Sequence, residues 1–178
     1  MKRQNTLVSI LIINYNNAKL IKRSINSCLK QSYKKLEVLV YDDKSRDNSQ
    51  SILKQYSKNK NIKIFFNKKE KKNIPAIDAM NGYLYLFQKS KGSIIFLLDS
   101  DDYFHKEKVL KIKKLFVNKN IQFVQNLPKI KNKKKILSNS RLSFWPYLAP
   151  ESCISFRRDL MIKFKKLNKF YINKLNNI

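Results

Sequence analysis

The chain alternates between short continuous apolar runs and segments in which apolar residues recur at helical spacing. A short apolar run bounded by polar residues is typical of a strand that is buried on both faces. Such runs predict strands at 7–13, 36–41, 62–66 and 94–98. Helical spacing predicts helices at 18–31, after 47–48 and at 74–89. This alternation predicts an α/β fold with a mostly parallel central sheet and helices on both faces.

The spacing of the apolar residues also predicts which side of each helix packs against the sheet. These residues are Ile21, Ile25, Cys28 and Leu29 in the first helix, Ile52, Leu53 and Tyr56 in the second, and Ile77, Met80, Leu84 and Phe87 in the third. We expect Asp47 or Asn48 to cap the second helix, because both residue types accept hydrogen bonds from free backbone N–H groups. Pro75 lies in the first turn of the third helix, where proline is tolerated.

Beyond residue 102 the pattern is weaker, but 178 residues still fit a single domain. The remaining elements are predicted as a helix at 106–116, a strand at 121–124, a long loop or hairpin at 128–143, a strand at 153–156 and a helix at 157–170. The apolar side of the helix at 106–116 consists of Val109, Leu110, Ile112 and Leu115.

The strand at 94–98 runs directly into three carboxylates, which belong to Asp99, Asp101 and Asp102. In an open α/β sheet, ligands bind beyond the carboxyl ends of the strands. Carboxylates packed this closely raise one another's pKa unless a positive charge lies between them. Their oxygen atoms favour Mg²⁺ or Mn²⁺, so the cluster indicates a metal site. The alternative is an acidic loop that caps a helix.

The formal charge of +27 comes mainly from lysine, and a compositional bias toward Lys, Asn and Ile explains much of it. The functional alternative is attraction to a polyanion, such as an anionic membrane or a phosphate-bearing substrate. No apolar stretch approaches the roughly 20 residues that span a bilayer, and Cys28 and Cys153 form no CxxC pair. We therefore expect a soluble cytoplasmic protein, with peripheral contact at the inner membrane face as a further option.

Four segments in this order resemble the family 2 glycosyltransferases, which have the GT-A fold. They are 8–16 with Ser27–Gln31, 42–49, 79–82 and 92–102. The resemblance covers residues 7–104 and implies that they form the half that binds a nucleotide sugar. It implies that residues 105–178 form an acceptor half that is incomplete. The implied activity is transfer of a sugar from a nucleotide donor, such as a UDP-sugar, to a glycan or lipid-linked acceptor, with inversion.

The resemblance assigns the nucleobase to the end of the second strand. There Asp43 would accept a hydrogen bond from the ring N–H of uracil, and Asp42 would shape the loop. Asn14 and Tyr15 would edge the same pocket through backbone and ring contacts. The alternative is that Asp42 and Asp43 are ordinary turn residues, since aspartate favours turns, and that Tyr15 only packs.

The resemblance assigns the diphosphate to the DXD motif formed by Asp99, Ser100 and Asp101. Asp99 would approach the ribose, and Asp101 with Asp102 would hold Mn²⁺ or Mg²⁺ on the diphosphate, where the metal neutralises the leaving group. Asn73, which precedes the third helix, would face the phosphates from the positive end of that helix. The alternative for Asn73 and its neighbour Lys72 is a solvated loop.

The chain departs from the family pattern in its last part. An inverting member needs a general base, usually in an acidic pair that follows a segment like 149–158. No Asp or Glu follows Asp159, and Glu151 is the late carboxylate that we nominate as the base. A second hypothesis is therefore a truncated or inactive nucleotide-sugar-binding remnant. Trp145, Pro146 and Tyr147 form an acceptor platform or part of the core.

A third hypothesis, nucleic-acid binding, depends on the positive charge alone. The chain lacks the aromatic-interleaved basic strands of common RNA-binding modules. We therefore expect no specific nucleic-acid partner. His105, next to the acidic cluster, is the single histidine of the sequence, and a structural role is the simpler interpretation.

Overall fold

The structure is a computed structural model that describes residues 6–68, 74–128 and 151–163. The first half contains β1 (Val8–Asn14), α1 (Ala18–Leu29), β2 (Leu36–Asp42), α2 (Ser49–Lys54), β3 (Ile62–Phe66) and α3 (Pro75–Lys89). The second half contains β4 (Ile94–Asp99), α4 (Lys108–Leu115), β5 (Phe123–Gln125), a 3-10 turn (Glu151–Cys153) and β6 (Ile154–Arg157). Residues 158–163 are helical.

The described strands form one six-stranded sheet in the order β3-β2-β1-β4-β6-β5. The pairings among β1, β2, β3 and β4 are parallel, whereas β6 is antiparallel to both β4 and β5. The prediction of a mostly parallel α/β sheet is therefore confirmed. All four parallel strands end at the same edge of the sheet, which we call the carboxyl edge.

Helices cover both faces of the sheet, as predicted. One face packs against α1, α2 and α4 through residues such as Ile25, Leu53 and Val109, which are fully buried. The other face packs against α3 through Tyr83, Leu86 and Phe87. Alternate residues of each strand face the two sides, so continuous apolar runs were needed to fill both cores.

The side of α3 that contacts the sheet agrees only in part with the predicted one, since Phe87 is buried as expected. Ile77 and Met80 are exposed, at 40% and 57% of their surface, while Tyr83 and Leu86 are buried. Gly82 explains the difference, because a Cβ atom at this position would lie 2.8 Å from the Ile13 side chain. The helix therefore approaches the sheet through its glycine side. In α4, Leu115 is likewise exposed, although the spacing placed it on the packed side.

The boundaries of most elements lie within one or two residues of the predicted ones. The start of β5 shifts by two residues, because the strand is Phe123–Gln125 and not 121–124. β6 begins one residue later than predicted because Cys153 belongs to the 3-10 turn. The predicted loop at 128–143 lies almost entirely outside the described residues, as does the predicted helix beyond 163. No described helix has the length and apolarity that a membrane span requires.

A buried polar cluster joins β1, β2 and β3 at the amino edge of the sheet. Glu37, which is 8% exposed, accepts hydrogen bonds from Ser9 Oγ (2.7 Å) and Lys63 Nζ (2.9 Å). The backbone N–H of Lys91 also donates to Glu37. Burial disfavours the charged carboxylate, but these hydrogen bonds outweigh it and lower the pKa of Glu37 below the ordinary value of 4.5.

The connection between α3 and β4 lies against this cluster. Gly92 donates its N–H to Ser9 Oγ (2.8 Å), and a Cβ atom on Gly92 would lie 2.5 Å from the backbone nitrogen of Ser9. Arg158 donates to the carbonyl oxygens of Gly92 (2.7 Å) and Phe87 (3.3 Å), and its guanidinium lies over the Phe87 ring. The segment that follows β6 is thereby fixed to the first half of the chain.

Candidate functional site

The carboxyl edge brings together the polar ends of β1, β2 and β4. Asn14 pairs with Asp42 in the register of β1 and β2, and Ile13 pairs with Asp99 in the register of β1 and β4. Three loops therefore meet above neighbouring strands: residues 15–17 after β1, 43–48 after β2 and 100–107 after β4. This is the position at which an open parallel sheet binds ligands.

Asp42 organises the loop after β2 and is itself fully buried. Its carboxylate accepts hydrogen bonds from Asn14 Nδ2 (2.8 Å), Ser45 Oγ (2.6 Å) and the Ser45 N–H (3.0 Å). Asn14 is also fully buried, and no described residue donates a hydrogen bond to its Oδ1 atom. Neither side chain presents surface to a ligand, so both act on the shape of the loop.

Asp43 follows directly and is also buried, with 4% of its surface exposed. Its N–H donates to the carbonyl of Asn14 (2.8 Å), and its carboxylate accepts from Asn67 Nδ2 (2.6 Å). The Asn67 N–H in turn donates to the carbonyl of Asp42 (2.8 Å). Asn67, at the end of β3, thus holds the carboxylate of Asp43 in place. Tyr15, which is 45% exposed, flanks the same edge after β1.

Two residues in these loops have left-handed backbone conformations, Asn16 with φ 51° and Lys44 with φ 56°. Such angles are unfavourable for a side-chain-bearing residue and concentrate at ligand-binding sites. Ser45 stabilises the arrangement because its Oγ accepts from the Asn16 N–H (2.9 Å). Asn16 Oδ1 accepts from the Arg46 N–H (2.7 Å), so the first two loops hold each other.

Asp99, at the end of β4, is held by both of its oxygen atoms. Tyr83 donates its hydroxyl to Oδ1 (3.1 Å), and Ser152 donates its hydroxyl to Oδ2 (3.1 Å). Ser152 Oγ also accepts from the Asp99 N–H (2.9 Å). Burial raises the pKa of Asp99 to about 6, and the nearby Glu151 carboxylate adds to the rise. Burial and the Asp99 charge likewise raise the pKa of Tyr83 well above 10.

The acidic turn at 99–102 is attached to α1 through backbone carbonyl groups. Ser24, which is fully buried, donates its hydroxyl to the Ser100 carbonyl (2.8 Å), with the Asp102 carbonyl beside it. Arg23 donates to the Asp101 carbonyl and stacks over the Tyr103 ring, 4.9 Å from its centre. These contacts involve the backbone carbonyl groups of the turn and not its carboxylates.

Gln31, two residues beyond the end of α1, fixes the chain that leaves the acidic turn. Its side chain donates to the His105 carbonyl (2.9 Å) and accepts from the Val109 N–H (3.0 Å). His105 Nδ1 accepts from the Glu107 N–H (3.3 Å), which agrees with a structural role for this histidine.

The carboxylates of Asp101 and Asp102 fit a divalent ion that is shared with a ligand. Asp101 is exposed and Asp102 half-buried, and no side chain of the described residues pairs with either carboxylate. The described residues contain no cluster of three or more acidic, histidine or cysteine side chains that could enclose a metal. This pattern suits Mg²⁺ or Mn²⁺, since Mg²⁺ is commonly held by one or two carboxylates plus substrate phosphates.

The 3-10 turn places Glu151 at the same edge. Glu151 is exposed and lies close enough to Asp99 to raise the pKa of that residue. Lys108 donates to the Ser152 carbonyl, and its Nζ lies 4.3 Å from the centre of the Phe104 ring. Burial lowers the pKa of Lys108, while the neighbouring Cys153 and Asp102 oppose that shift. The late segment of the chain is thereby docked onto the acidic turn.

Most of the predicted site residues therefore lie at one edge. Asn73 and the Trp145–Pro146–Tyr147 segment lie outside the described residues. Sequence reasoning missed Asn67, Tyr83, Ser152 and the polar side of α1. One signal was available for α1, because Asn17, Ser24 and Gln31 recur at intervals of seven residues, which is the spacing of one helix face.

The fold and the arrangement of this edge define the protein as a GT-A domain. S. aureus TarS residues 1–349, solved in complex with UDP-GlcNAc, superimposes with a TM-score of 0.67 at 22% identity. The match covers 89% of this chain and 47% of that structure. The mannosyltransferase PcManGT from Pyrobaculum calidifontis, solved with GDP-Man and Mn²⁺, gives a TM-score of 0.68 at 18% identity over 88% of this chain and 46% of its own.

The family follows from the sequence, since the family model of glycosyl transferase family 2 matches residues 9–175. The chain belongs to this family. It is 34% identical over 131 residues to the Escherichia coli UDP-Glc:alpha-D-GlcNAc-diphosphoundecaprenol beta-1,3-glucosyltransferase WfgD, a match that covers 74% of this chain and 49% of WfgD. The chain spans about half the length, or less, of the curated relatives it matches.

Proposed function

We propose that this protein transfers a sugar from a nucleoside diphosphate sugar, most simply a UDP-sugar, to a glycan or lipid-linked acceptor. The observation that supports this proposal is the convergence of Asp43 and the acidic turn at one edge of a GT-A sheet. The family membership supports the reaction class. WfgD, which by its name uses UDP-Glc and a lipid-linked acceptor, supports the choice of substrates.

In this proposal the nucleobase lies against the loop after β2. Asn67 orients the Asp43 carboxylate (2.6 Å), and that carboxylate accepts a hydrogen bond from the ring N–H of uracil. Tyr15 offers an exposed ring beside it. Asn14 and Asp42 contribute indirectly because they fix the loop from below. Asp99 faces the ribose with a carboxylate that Tyr83 and Ser152 already orient.

Asp101 and Asp102 would hold Mn²⁺ or Mg²⁺ together with the diphosphate of the donor. When bound, such an ion neutralises the charge that develops on the departing nucleoside diphosphate. The protein contributes a fixed turn, because α1 holds its backbone through Arg23 and Ser24. The carboxylates therefore meet the ligand without a reorganisation of the loop.

Glu151 is the proposed general base. The carboxylate would take the proton from the acceptor hydroxyl while that oxygen attacks the anomeric carbon. The bond between this carbon and the diphosphate oxygen breaks in the same step, so the configuration inverts. Lys108 and Ser152 set the position of the turn that contains Glu151.

A thermal-shift screen tests the donor and metal assignments. We expect UDP with Mn²⁺ to stabilise the wild type, and Asp101→Ala to lose the metal-dependent part of the shift. Asp159→Ala, which removes another exposed carboxylate, serves as the matched control. An equal response of Asp101→Ala and wild type would exclude Asp101 as a metal ligand. Donor binding without transfer to any acceptor would instead favour the non-catalytic remnant.

We further propose that the face formed by α1 and α4 contacts an anionic membrane. Gln31 joins the two helices through Val109 (3.0 Å), so their outer sides lie next to each other. Their exposed basic residues are Lys19, Lys22, Arg23, Lys30, Lys111 and Lys114. Leu115 and Val117, 48% and 58% exposed, add apolar groups at the end of α4. Each basic residue near an anionic bilayer contributes about 1 kcal/mol.

Vesicle sedimentation distinguishes this contact from general attraction by charge. We expect binding to phosphatidylglycerol vesicles and none to phosphatidylcholine vesicles. The double variant Lys22→Glu with Lys114→Glu should weaken vesicle binding more than tenfold. The control is Lys89→Glu with Lys91→Glu, which changes two exposed lysines at and just after the end of α3, and it should have a much smaller effect. Equal losses in the two double variants would exclude a dedicated face.

A further inference from the structure

Asn17 is the N-terminal cap residue of α1, yet its side chain does not cap that helix. Asparagine at this position normally accepts a hydrogen bond from one of the first backbone N–H groups, which stabilises a helix by about 1 kcal/mol. Here the acceptor is supplied from another loop, because Asp47 Oδ2 accepts from the Ala18 N–H (2.8 Å). The Asn17 side chain is thereby released for a different contact.

That contact is with the acidic turn. Asn17 Nδ2 donates to Ser100 Oγ (2.8 Å), and Ser100 is only 4% exposed. The backbone N–H of Asn17 donates to Ser49 Oγ (3.2 Å), and Ser49 opens α2 directly after the loop that contains Asp43. Asn17 therefore bonds to the nucleobase side of the site through its backbone and to the diphosphate side through its amide.

We propose that Asn17 is a positioning residue that sets the distance between the loop after β2 (residues 43–48), where the nucleobase is proposed to bind, and the acidic turn. This inference rests on the proposed function, in which one donor must reach Asp43 and the carboxylates of Asp101 and Asp102 together. A donor that spans two loops binds with full affinity only if their spacing matches its own length. Asn17 acts through Ser100 and does not itself contact the metal.

The fold does not depend on this amide. α1 is attached to the sheet by Ile21, Ile25 and Cys28, which are all fully buried. Ser24 still holds the backbone of the acidic turn when Asn17 is changed. Loss of the Asn17 amide should therefore alter the spacing of the two loops while the domain stays folded.

The test compares a ligand that needs one loop with a ligand that needs both. The dissociation constants of uridine and of UDP with saturating Mn²⁺ are measured by calorimetry for wild type, Asn17→Ala and Asn26→Ala. Asn26 is the matched control, because it also lies on α1 and makes one hydrogen bond to another element, to the hydroxyl of Tyr56 (3.1 Å). The readout is the dissociation constant of uridine divided by that of UDP.

We expect Asn17→Ala to weaken UDP binding by about 3- to 10-fold, the size of one lost hydrogen bond, with uridine binding unchanged. Asn26→Ala should leave the ratio at the wild-type value. An unchanged ratio in Asn17→Ala, or an equal loss for both ligands, would overturn the proposal. If Asn17→Ala does not fold, Ser100→Ala removes the other partner and must lower the ratio in the same way. Absence of UDP binding to the wild type would instead show that the proposed function is wrong.

Discussion

Asp42 offers a quantitative test of how the loop after β2 is built. Asp42→Ala would leave three buried donors without their acceptor, namely Asn14 Nδ2 and the hydroxyl and N–H of Ser45. Each unsatisfied buried polar group costs about 1–3 kcal/mol, but Asn14 and Ser45 still bond to each other (3.2 Å). We therefore expect Asp42→Ala to lower the free energy of unfolding by about 3–5 kcal/mol.

Asp42→Asn should lower the free energy of unfolding much less, because the unpartnered Oδ1 atom of Asn14 can accept a hydrogen bond from the new amide. A 180° rotation of the Asn14 amide would turn this oxygen toward the new amide, which is a donor. The Ser45 N–H keeps its acceptor, and one polar group remains unsatisfied, as in the wild type. We expect a loss of about 1–2 kcal/mol.

Urea denaturation followed by circular dichroism measures both free energies of unfolding. Uridine affinity measured on the same variants tests the proposed contact between this loop and the nucleobase. Losses of equal size in the two variants would refute the reasoning, because they would show that the charge of Asp42 matters and its hydrogen-bond geometry does not. A near-neutral Asp42→Ala would show that the network contributes little.

Three further predictions concern the amino edge and the core. Gly92→Ala should destabilise the protein far more than Gly82→Ala. A Cβ atom at residue 92 would lie 2.5 Å from the backbone nitrogen of Ser9, whereas a Cβ atom at residue 82 would meet only side chains. Thermal melts of both variants check this difference. Because the pKa of Glu37 is lowered in the folded protein, its contribution to stability is complete above pH 4.5 and decreases as the pH falls below that value. Glu37→Gln should flatten this dependence in a plot of unfolding free energy against pH. An unchanged plot would exclude Glu37 as its source. Burial raises the pKa of Cys28 to about 12, so mass spectrometry should find no alkylation of Cys28 in the folded protein at pH 8, and rapid labelling would show that this core opens.

The sheet could be predicted from the sequence because its strands are buried on both faces. A strand such as β4 must then be apolar at every position, and such runs are visible without knowledge of tertiary contacts. The carboxyl edge followed from the same reasoning, since each run ends in polar residues such as Asp42 and Asp99. Of the two residues expected to cap α2, Asn48 occupies the cap position without a side-chain hydrogen bond, while Oδ1 of Asp47 accepts from the Ser49 N–H (3.0 Å).

The contacts that hold the site could not be predicted, because each joins residues that are distant in the sequence. Tyr83 and Ser152 approach Asp99 from opposite sides of the chain, 16 positions before it and 53 positions after it. The rotation of α3 depends on Gly82, which has a visible effect only when the helix lies against Ile13. Apolar spacing alone therefore predicted the burial of Phe87 correctly but that of Ile77 and Met80 wrongly.

The antiparallel insertion of β6 between β4 and β5 has a consequence for synthesis on the ribosome. β5 pairs with β6 alone among the described strands, so it has no partner until residues 154–157 have emerged from the exit tunnel. The four parallel strands can assemble earlier, since they all precede residue 100. The nascent chain would therefore complete the loop after β2 first, and it would gain the Ser152 and Glu151 side of the carboxyl edge only after residues 151–157 had emerged.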